Sequence, residues 1–427
     1  MQKAISKYWP VFVLPTLLAF IIGFIWPFIW GIYLSFQRFT TVSKTTFVGI
    51  QNYINVFQDS TFLHAFGFTA AFTVVSTVLI NVCAFAIALV LTRGIRGTNI
   101  FRTVYFMPNL IGGILLGYIW QILLNGVLAN LQKPLLALDA KAGFVGLVIL
   151  MCWQQIGYMM IIYVAGLQSV PGDLIEAAKI DGANDREILF KIKIPMVMPS
   201  VTICTFLTLT NSFKLFDQNV ALTAGEPANA SEMLALNIYN TFYGRSGAQW
   251  KGIGQAKAVV FFLIVVVISL IQLPLYRSRS AAVMPKTEKN VDNILTVIMT
   301  LLSLLWIYPI VLILLNSLKI EGSFTTSTVF KLPTAETFAG LSNYVYGVTK
   351  MGFLSSLGYS LVITVTSVAL ILLCCSMTGW YLTRVNNKLS KFMNLLIVFS
   401  IGRPLQMVMF TLSQDPPTPS TSNTPWK

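Results

Sequence analysis

The chain has 427 residues, of which 56% are hydrophobic and only 10% charged, and its mean hydropathy is +0.74. Soluble globular chains carry about 25% charged residues, so the composition excludes one and points to a polytopic membrane protein. The net charge of +14 is spread thinly between apolar runs, without the basic patch that nucleic-acid binding requires, so no nucleic acid is expected as a partner.

Runs of roughly 20 apolar residues can cross a bilayer as helices. Such runs are expected as spans at 11–36, 66–92, 100–124, 143–167, 196–222 and 253–276, then at 293–316, 354–381 and 392–412. The expected fold is therefore all-α, a polytopic transmembrane helical bundle of six spans plus a partial second copy of about three. Lys3 and Lys7 precede a first run too long for a typical cleaved signal, which reads as a retained span. Cys83, Cys152, Cys204, Cys374 and Cys375 lie inside apolar runs and read as small buried hydrophobes. The single histidine, His64, has no partner at ligand spacing, so no metal is expected.

If the N-terminus lies inside, the inner loops hold 16 Lys and Arg against 10 in the longer outer loops, with Lys251 and Lys257 counted among the latter. The positive-inside rule then places the N-terminus and the loop 169–195 in the cytoplasm of a cell-membrane protein. That loop is the longest patterned polar interruption. Its residues suggest two short helices joined by a turn at Gly182. Pro171 suits the first helical turn and Asn184 or Asp185 the second helix's cap. Lys191 and Lys193 stand where a helix C-terminus favours cations, and Pro195 opens the next run. Ile180, Ala183, Ile188, Leu189 and Ile192 leave an apolar surface that needs something to dock against.

Four regions follow: a complete six-span unit at 1–280, a cytoplasmic linker at 281–292, the N-terminal part of a second unit at 293–414, and an aberrant polar tail at 415–427. The second unit repeats the first without a gap at a spacing of 291. Phe47, Gly49, Asn52 and Tyr53 return as Phe338, Gly340, Asn343 and Tyr344, and Leu91-Thr92-Arg93 as Leu382-Thr383-Arg384. Apolar convergence would not keep glycine, asparagine and arginine in register, so the pattern reads as duplication. Six spans return the chain to the same side, so the copies share an orientation. A second copy of Glu176 would fall near position 467, beyond the chain. Arg403 interrupts the last candidate span. The tail reads either as a shifted reading frame or as a short outer tail.

The loop resembles the EAA motif of ABC-importer permeases. Glu176-Ala177-Ala178, Gly182, Ile192, Ile194 and Pro195 hold every spacing of that motif, with isoleucine where leucine is usual. A second stretch, Asn211-Ser212-Phe213-Lys214-Leu215-Phe216-Asp217 followed by Leu222-Thr223-Ala224-Gly225-Glu226-Pro227, resembles sugar permeases of the multiple-sugar type. Glu226 replaces a glycine there. The resemblance implies a first permease subunit fused to part of its partner subunit. It also implies that the loop, with Ile180, Asp181 and Ile188 beside the motif residues, forms coupling helices for a cytoplasmic ATPase dimer. An extracytoplasmic sugar-binding protein, a second permease subunit and bilayer lipid are the other expected partners.

No phosphate-binding loop and no nucleophile–base pair occurs in the sequence, so ATP is expected to be hydrolysed by partner subunits, with no cofactor and no catalysis in this chain. Asn211, Phe213, Lys214, Phe216 and Asp217 are candidate substrate-path residues, with Lys214 and Asp217 three apart on one helical face. The alternative is a Lys–Asp pair that satisfies only itself. Two rival functions stand beside the importer: an ion-coupled secondary transporter, which would need carboxylates within spans, and a non-functional truncated fusion product.

Overall fold

A computed structural model of the chain describes residues 7–41, 44–272, 289–320, 329–385 and 387–401. In chain order, α1 (Trp9–Ser35) runs through Pro15 and Pro27 with a π turn at Ile21–Ile25. The hairpin β1 (Gln37–Thr41) and β2 (Lys44–Phe47) pairs Gln37 with Phe47. Then come α2 (Gln51–Gln58), α3 (Ser60–Leu91), α4 (Thr98–Phe106), α5 (Gly113–Asn130), α6 (Ala140–Gln168) and α7 (Gly172–Ile180). They are followed by α8 (Asp185–Phe213), α9 (Asp217–Leu222), α10 (Leu234–Tyr239) and α11 (Ala248–Gln272). The last are α12 (Lys289–Ser317), α13 (Ser342–Thr349), α14 (Phe353–Arg384) and α15 (Lys388–Ile401).

Among the described residues, eight helices are long and apolar enough to cross a membrane: α1, α3, α5, α6, α8, α11, α12 and α14. Two expected spans are broken. The third is interrupted by a 3-10 turn at Met107–Leu110 and the extended backbone of Gly112, so the crossing helix is α5 rather than 100–124. The fifth ends at Phe213, nine residues short of its expected limit. Of the ninth, only α15 up to Ile401 is described; the rest of 392–412 and the tail 415–427 lie outside the described residues. The expected linker 281–292 is already helical from Lys289, and its earlier part lies outside them too.

The chain divides into two compact units. One comprises Ser60–Asn237 and Val267–Ser355. Its core is the packing of α3, α6 and α8, whose facing residues include Phe72, Ile80, Ala84, Met159, Tyr163 and Cys204. Gly157 in α6 lies against the backbone carbonyl of Tyr105 in α4, so a side chain there would collide with main chain. Gly113 and Gly117 of α5 give α9 the same close approach at Asp217 and Ala221. The α12 helix joins this unit through Trp306, whose carbonyl accepts from Trp153 Nε1 at 2.9 Å.

The other unit comprises Met1–Asp59, Ile238–Val266 and Ser356–Lys427. Here α1 packs on α14: Thr378 Oγ1 donates to Phe12 O at 3.0 Å, Thr16 Oγ1 donates to Cys374 O at 3.1 Å, and Phe12 stacks on Trp380. Lys257, expected on an outer loop, instead lies ten residues into α11 and is 0% exposed. Its ammonium donates to Asp59 Oδ2 and Thr241 Oγ1, both at 2.8 Å, with Arg245 3.8 Å from the same carboxylate oxygen. An uncompensated buried charge costs far more than an ion pair contributes.

The same local clasp is built twice, once in each unit. In the first, Asn52 Nδ2 donates to Ser35 O and Gln37 O at 2.8 and 2.9 Å, and the hydroxyls of Ser35 and Tyr53 lie 2.6 Å apart. Burial raises the Tyr53 pKa, partly offset by Ser35, so this hydroxyl stays protonated. In the second, Asn343 Nδ2 donates to Ser317 O and Lys319 O at 2.9 and 2.7 Å, and Ser317 and Tyr344 are again 2.6 Å apart. Gly49 and Gly340 hold matching left-handed backbones, φ +59° and +56°.

Removing the cation at Lys257 tests the buried pair. Lys257→Met should destabilise the solubilised chain by up to about 3 kcal/mol, because the largely covered Asp59 carboxylate loses its nearest cation and keeps the more distant Arg245. A thermal midpoint unchanged from the parent chain would contradict this.

Candidate functional site

The loop 169–195 leaves α6 and re-enters the bundle through α8. The α7 helix begins after Pro171, carries Asp173 in its first turn and Lys179 in its last, and ends at Asp181. Gly182 follows at φ +85°, a conformation that costs an L residue roughly 1–2 kcal/mol. Asn184, rather than Asp185, caps the next helix. Asn184 Oδ1 accepts from Glu187 N at 2.9 Å, and Glu187 Oε2 accepts from Asn184 N at 3.1 Å, a complete capping box.

The second helix is not short. It continues from Asp185 through a π segment at Ile188–Lys193 into α8 and ends only at Phe213. Lys191 and Lys193 therefore stand mid-helix, not at a C-terminus; Lys191 pairs with Glu187 at 2.9 Å on an exposed face. Pro195 lies inside the same continuous helix and does not begin a new one. A π turn accommodates the hydrogen bond that a proline cannot make.

The expected apolar docking surface is divided. Ile188 is 3% exposed in the chain's own core, and Ile192 packs partly buried against it. Ile194 is half-buried. Ile188 cannot fill a partner's groove without leaving its own core. Ile180 is 87% exposed, with Glu176, Ala177, Asp181 and Gly182 exposed and Ala178 half-buried beside it. Leu174 and Phe190, which the motif spacing did not single out, are also exposed. Just inside the bundle, Gly166 of α6 meets Ser200 of α8 so closely that any Cβ would collide with its side chain.

The candidate substrate-path residues straddle a helix end. Asn211 and Phe213 are on α8, Lys214 caps it, Phe216 lies in the break, and Asp217 is the first residue of α9. Lys214 and Asp217 are thus on two helices, not on one face. Phe213 is buried and meets Phe66 edge-on with centroids 6.4 Å apart; Asp217 is exposed. Beyond them, Glu226 accepts from Ala228 N at 2.9 Å, and Ala224, Ala228 and Asn229 adopt left-handed backbones around it.

Three glutamines missed at the sequence level join this region. Gln218 Nε2 donates to Gln154 Oε1 at 2.8 Å, and Gln154 donates onward to Ile111 O at 3.5 Å. Gln155 Oε1 and Ser212 Oγ are buried without a hydrogen-bond partner among the described residues, as are Thr73 Oγ1 and Ser76 Oγ. The signal was available: adjacent glutamines in the middle of an apolar span are expensive and usually functional. No cluster of three metal-ligating side chains occurs among the described residues.

The architecture is that of a polytopic membrane bundle with one patterned polar loop between two of its long helices. Residues 96–281 match the family model for the inner membrane component of binding-protein-dependent transport systems. The chain is 44% identical over 279 residues to a probable starch degradation products transport system permease, AmyD, of Thermoanaerobacterium thermosulfurigenes, spanning 64% of this chain and 94% of that one. It is 30% identical over 284 residues to the multiple sugar-binding transport system permease MsmF of Streptococcus mutans, spanning 64% and 97%. A crystal structure of a bacterial alginate ABC transporter shares the fold at TM-score 0.55 and 19% identity, over 65% of this chain and 97% of that one. The protein belongs to this family of binding-protein-dependent transport permeases and is a multi-pass membrane protein.

Asn184→Ala should cost the second helix about 1 kcal/mol by removing the capping box. Amide exchange at Glu187 would report it, and unchanged protection there would contradict the cap.

Proposed function

We propose that the chain is the membrane-spanning permease of an ATP-driven importer for a sugar or oligosaccharide, and that the loop 169–195 docks a partner ATPase in the cytoplasm. The observation that carries this reading is the exposed apolar tip around Ile180, held on α7 and joined through the Gly182 turn to α8, which continues into a span. Leu174, Ile180 and Phe190 together expose more apolar surface on this polar loop than one scattered residue would, and such surface marks an interaction site. Removing Lys257 from the outer set, since it is buried and paired, widens the inner excess of cations and supports a cytoplasmic N-terminus.

The docking surface is Leu174, Glu176, Ala177, Ile180, Asp181 and Gly182, with Phe190 at its edge. Ile188 and Ile192 anchor the second helix in the core instead. At the other end of α8, Asn211, Gln155, Ser212 and Asp217 offer hydrogen bonds to hydroxyl groups, with the half-buried Phe216 ring beside them. A polyhydroxylated ligand suits such a mixture. A solute-binding protein on that side would deliver it. The names of the similar permeases, which concern starch degradation products and multiple sugars, support the substrate class.

Residues 293–414 are read as part of a second permease unit. The duplicated clasp at Asn52 and Asn343 supports that reading, as do the equal 32-residue lengths of α3 and α14. A second permease subunit is a further proposed partner. The ion-coupled alternative is less well supported, because Asp217 stands at an exposed helix start and Asp59 is held by Lys257.

Ile180→Asp should leave membrane insertion intact and release the ATPase, lowering co-purification by about ten-fold or more. Gly182→Val should act in the same direction through backbone strain at φ +85°. ATP-dependent uptake of labelled oligosaccharides into vesicles by Ile180→Asp at the parent rate, in a verified complex, would refute the docking role.

A further inference from the structure

The loop 169–195 and the substrate region lie at opposite ends of α8, and one other helix, α3, is tied by side chains both to the two helices that carry the loop and to the segment beyond the substrate region. Asn81 of α3 makes three hydrogen bonds at once, reaching α6 close to the loop and α8 at Thr208, thirteen residues beyond Pro195. Its Nδ2 donates to Thr77 O at 2.8 Å and to Thr208 Oγ1 of α8 at 2.9 Å, and its Oδ1 accepts from Tyr163 Oη of α6 at 2.7 Å. Thr208 and Tyr163 are 0% and 1% exposed. Tyr163 lies six residues before the loop, roughly 9 Å along α6 at the helical rise. The two helices that carry the loop are therefore joined through one carboxamide on a third.

At its other end, α3 holds the segment that follows the substrate region. Leu234 N donates to Thr69 Oγ1 at 2.8 Å, Asn237 Nδ2 donates to Thr61 Oγ1 at 3.3 Å, and the His64 Nε2 lies 3.1 Å from Ala230 O. That segment closes on α9 through Asn219, which donates to Ser231 O and accepts from Met233 N, both at 2.9 Å. Between them, the buried hydroxyls of Thr73, Ser76 and Thr77 have no hydrogen-bond partner among the described residues, so these two sets of bonds are the directional attachments of α3.

We propose that α3 is a connecting rod of the transport cycle, and that Asn81 is the positioning residue that passes displacement of the loop 169–195 to the segment 225–237. A hydrogen-bonded node in a low-dielectric core is stiff and either made or broken. It thus moves three helices together where apolar packing alone would let them slide. This inference rests on the coupling role proposed for the loop, and the test separates the two.

Gly166→Leu forces α6 and α8 apart beside the loop, because Ser200 already fills the space. In the full-length chain in nanodiscs, this wedge should change hydrogen–deuterium exchange at 225–237 by about three-fold or more, a change that shrinks to near nothing in Asn81→Leu and Tyr163→Phe backgrounds, since sites in one network are non-additive. Tyr163→Phe removes one hydroxyl and adds no volume, so it serves if Asn81→Leu does not fold, and Gly166→Ala serves as the milder wedge. An effect at 225–237 that is absent in the parent chain, or that persists undiminished in the Asn81→Leu and Tyr163→Phe backgrounds, overturns the proposal. In the assembled importer, Asn81→Leu should lower uptake per ATP hydrolysed by about ten-fold, within the range of measured site-to-site couplings. Parent-level uptake per ATP in that variant overturns it as well. If the parent chain binds no ATPase, the loop's coupling role fails while the exchange result still decides the rod.

Discussion

The arrangement depends on α8 being one helix. It carries Pro195 and Pro199, which should each remove a hydrogen bond and bend the axis, yet it runs unbroken from Asp185 to Phe213. A π segment at Ile188–Lys193 lies just before Pro195. The Asn184 cap at the loop surface and Phe213 in the substrate region are thus the two ends of one continuous helix, roughly 40 Å long at the helical rise. The docking tip at Ile180 stands just before that helix and reaches it through the Gly182 turn.

Why the loop's apolar face divides follows from the same continuity. Ile180, Ile188 and Ile192 are spaced by eight and four residues, which on one helix would place them on one face. The turn at Asp181–Ala183 resets that phase. Ile188 and Ile192 take their direction from α8 and face the core, while Ile180 takes its direction from α7 and faces out. The motif's spacing was legible in the sequence, as were the Gly182 turn and one of two candidate caps. The direction of each isoleucine was not, because it depends on where one helix stops and the next starts. Lys214 and Asp217 were misplaced for the same reason: an apolar run does not reveal a helix break whose groups are satisfied by neighbouring helices.

The repeat shows the complementary limit. An ungapped spacing of 291 identified Asn52 with Asn343 and Tyr53 with Tyr344, and those residues do build equivalent clasps. Their partners, Ser35 and Ser317, are separated by 282 instead, because the second hairpin region is nine residues longer. Gln37 faces Phe47 in one and Lys319 faces Phe338 in the other. The interaction involves the backbone carbonyls of Gln37 and Lys319, so the side chains there were free to differ. Sequence comparison sees side chains; a carbonyl acceptor leaves no trace in it.

Polar groups inside the bundle fall into two kinds, and their satisfaction distinguishes their work. Asn81, Tyr163 and Thr208 complete one another, and Lys257 is completed by Asp59 and Thr241. Groups so paired rigidify, because breaking any one leaves the others buried and unpaired. Thr73, Ser76, Gln155 and Ser212 are buried but incomplete. An incomplete buried polar group costs about 1–3 kcal/mol, a cost that water or a hydroxylated ligand removes on arrival. Gln155 and Ser212 adjoin Gln154 and Asn211 in sequence, so a hydroxylated ligand in the proposed substrate region is placed to complete them.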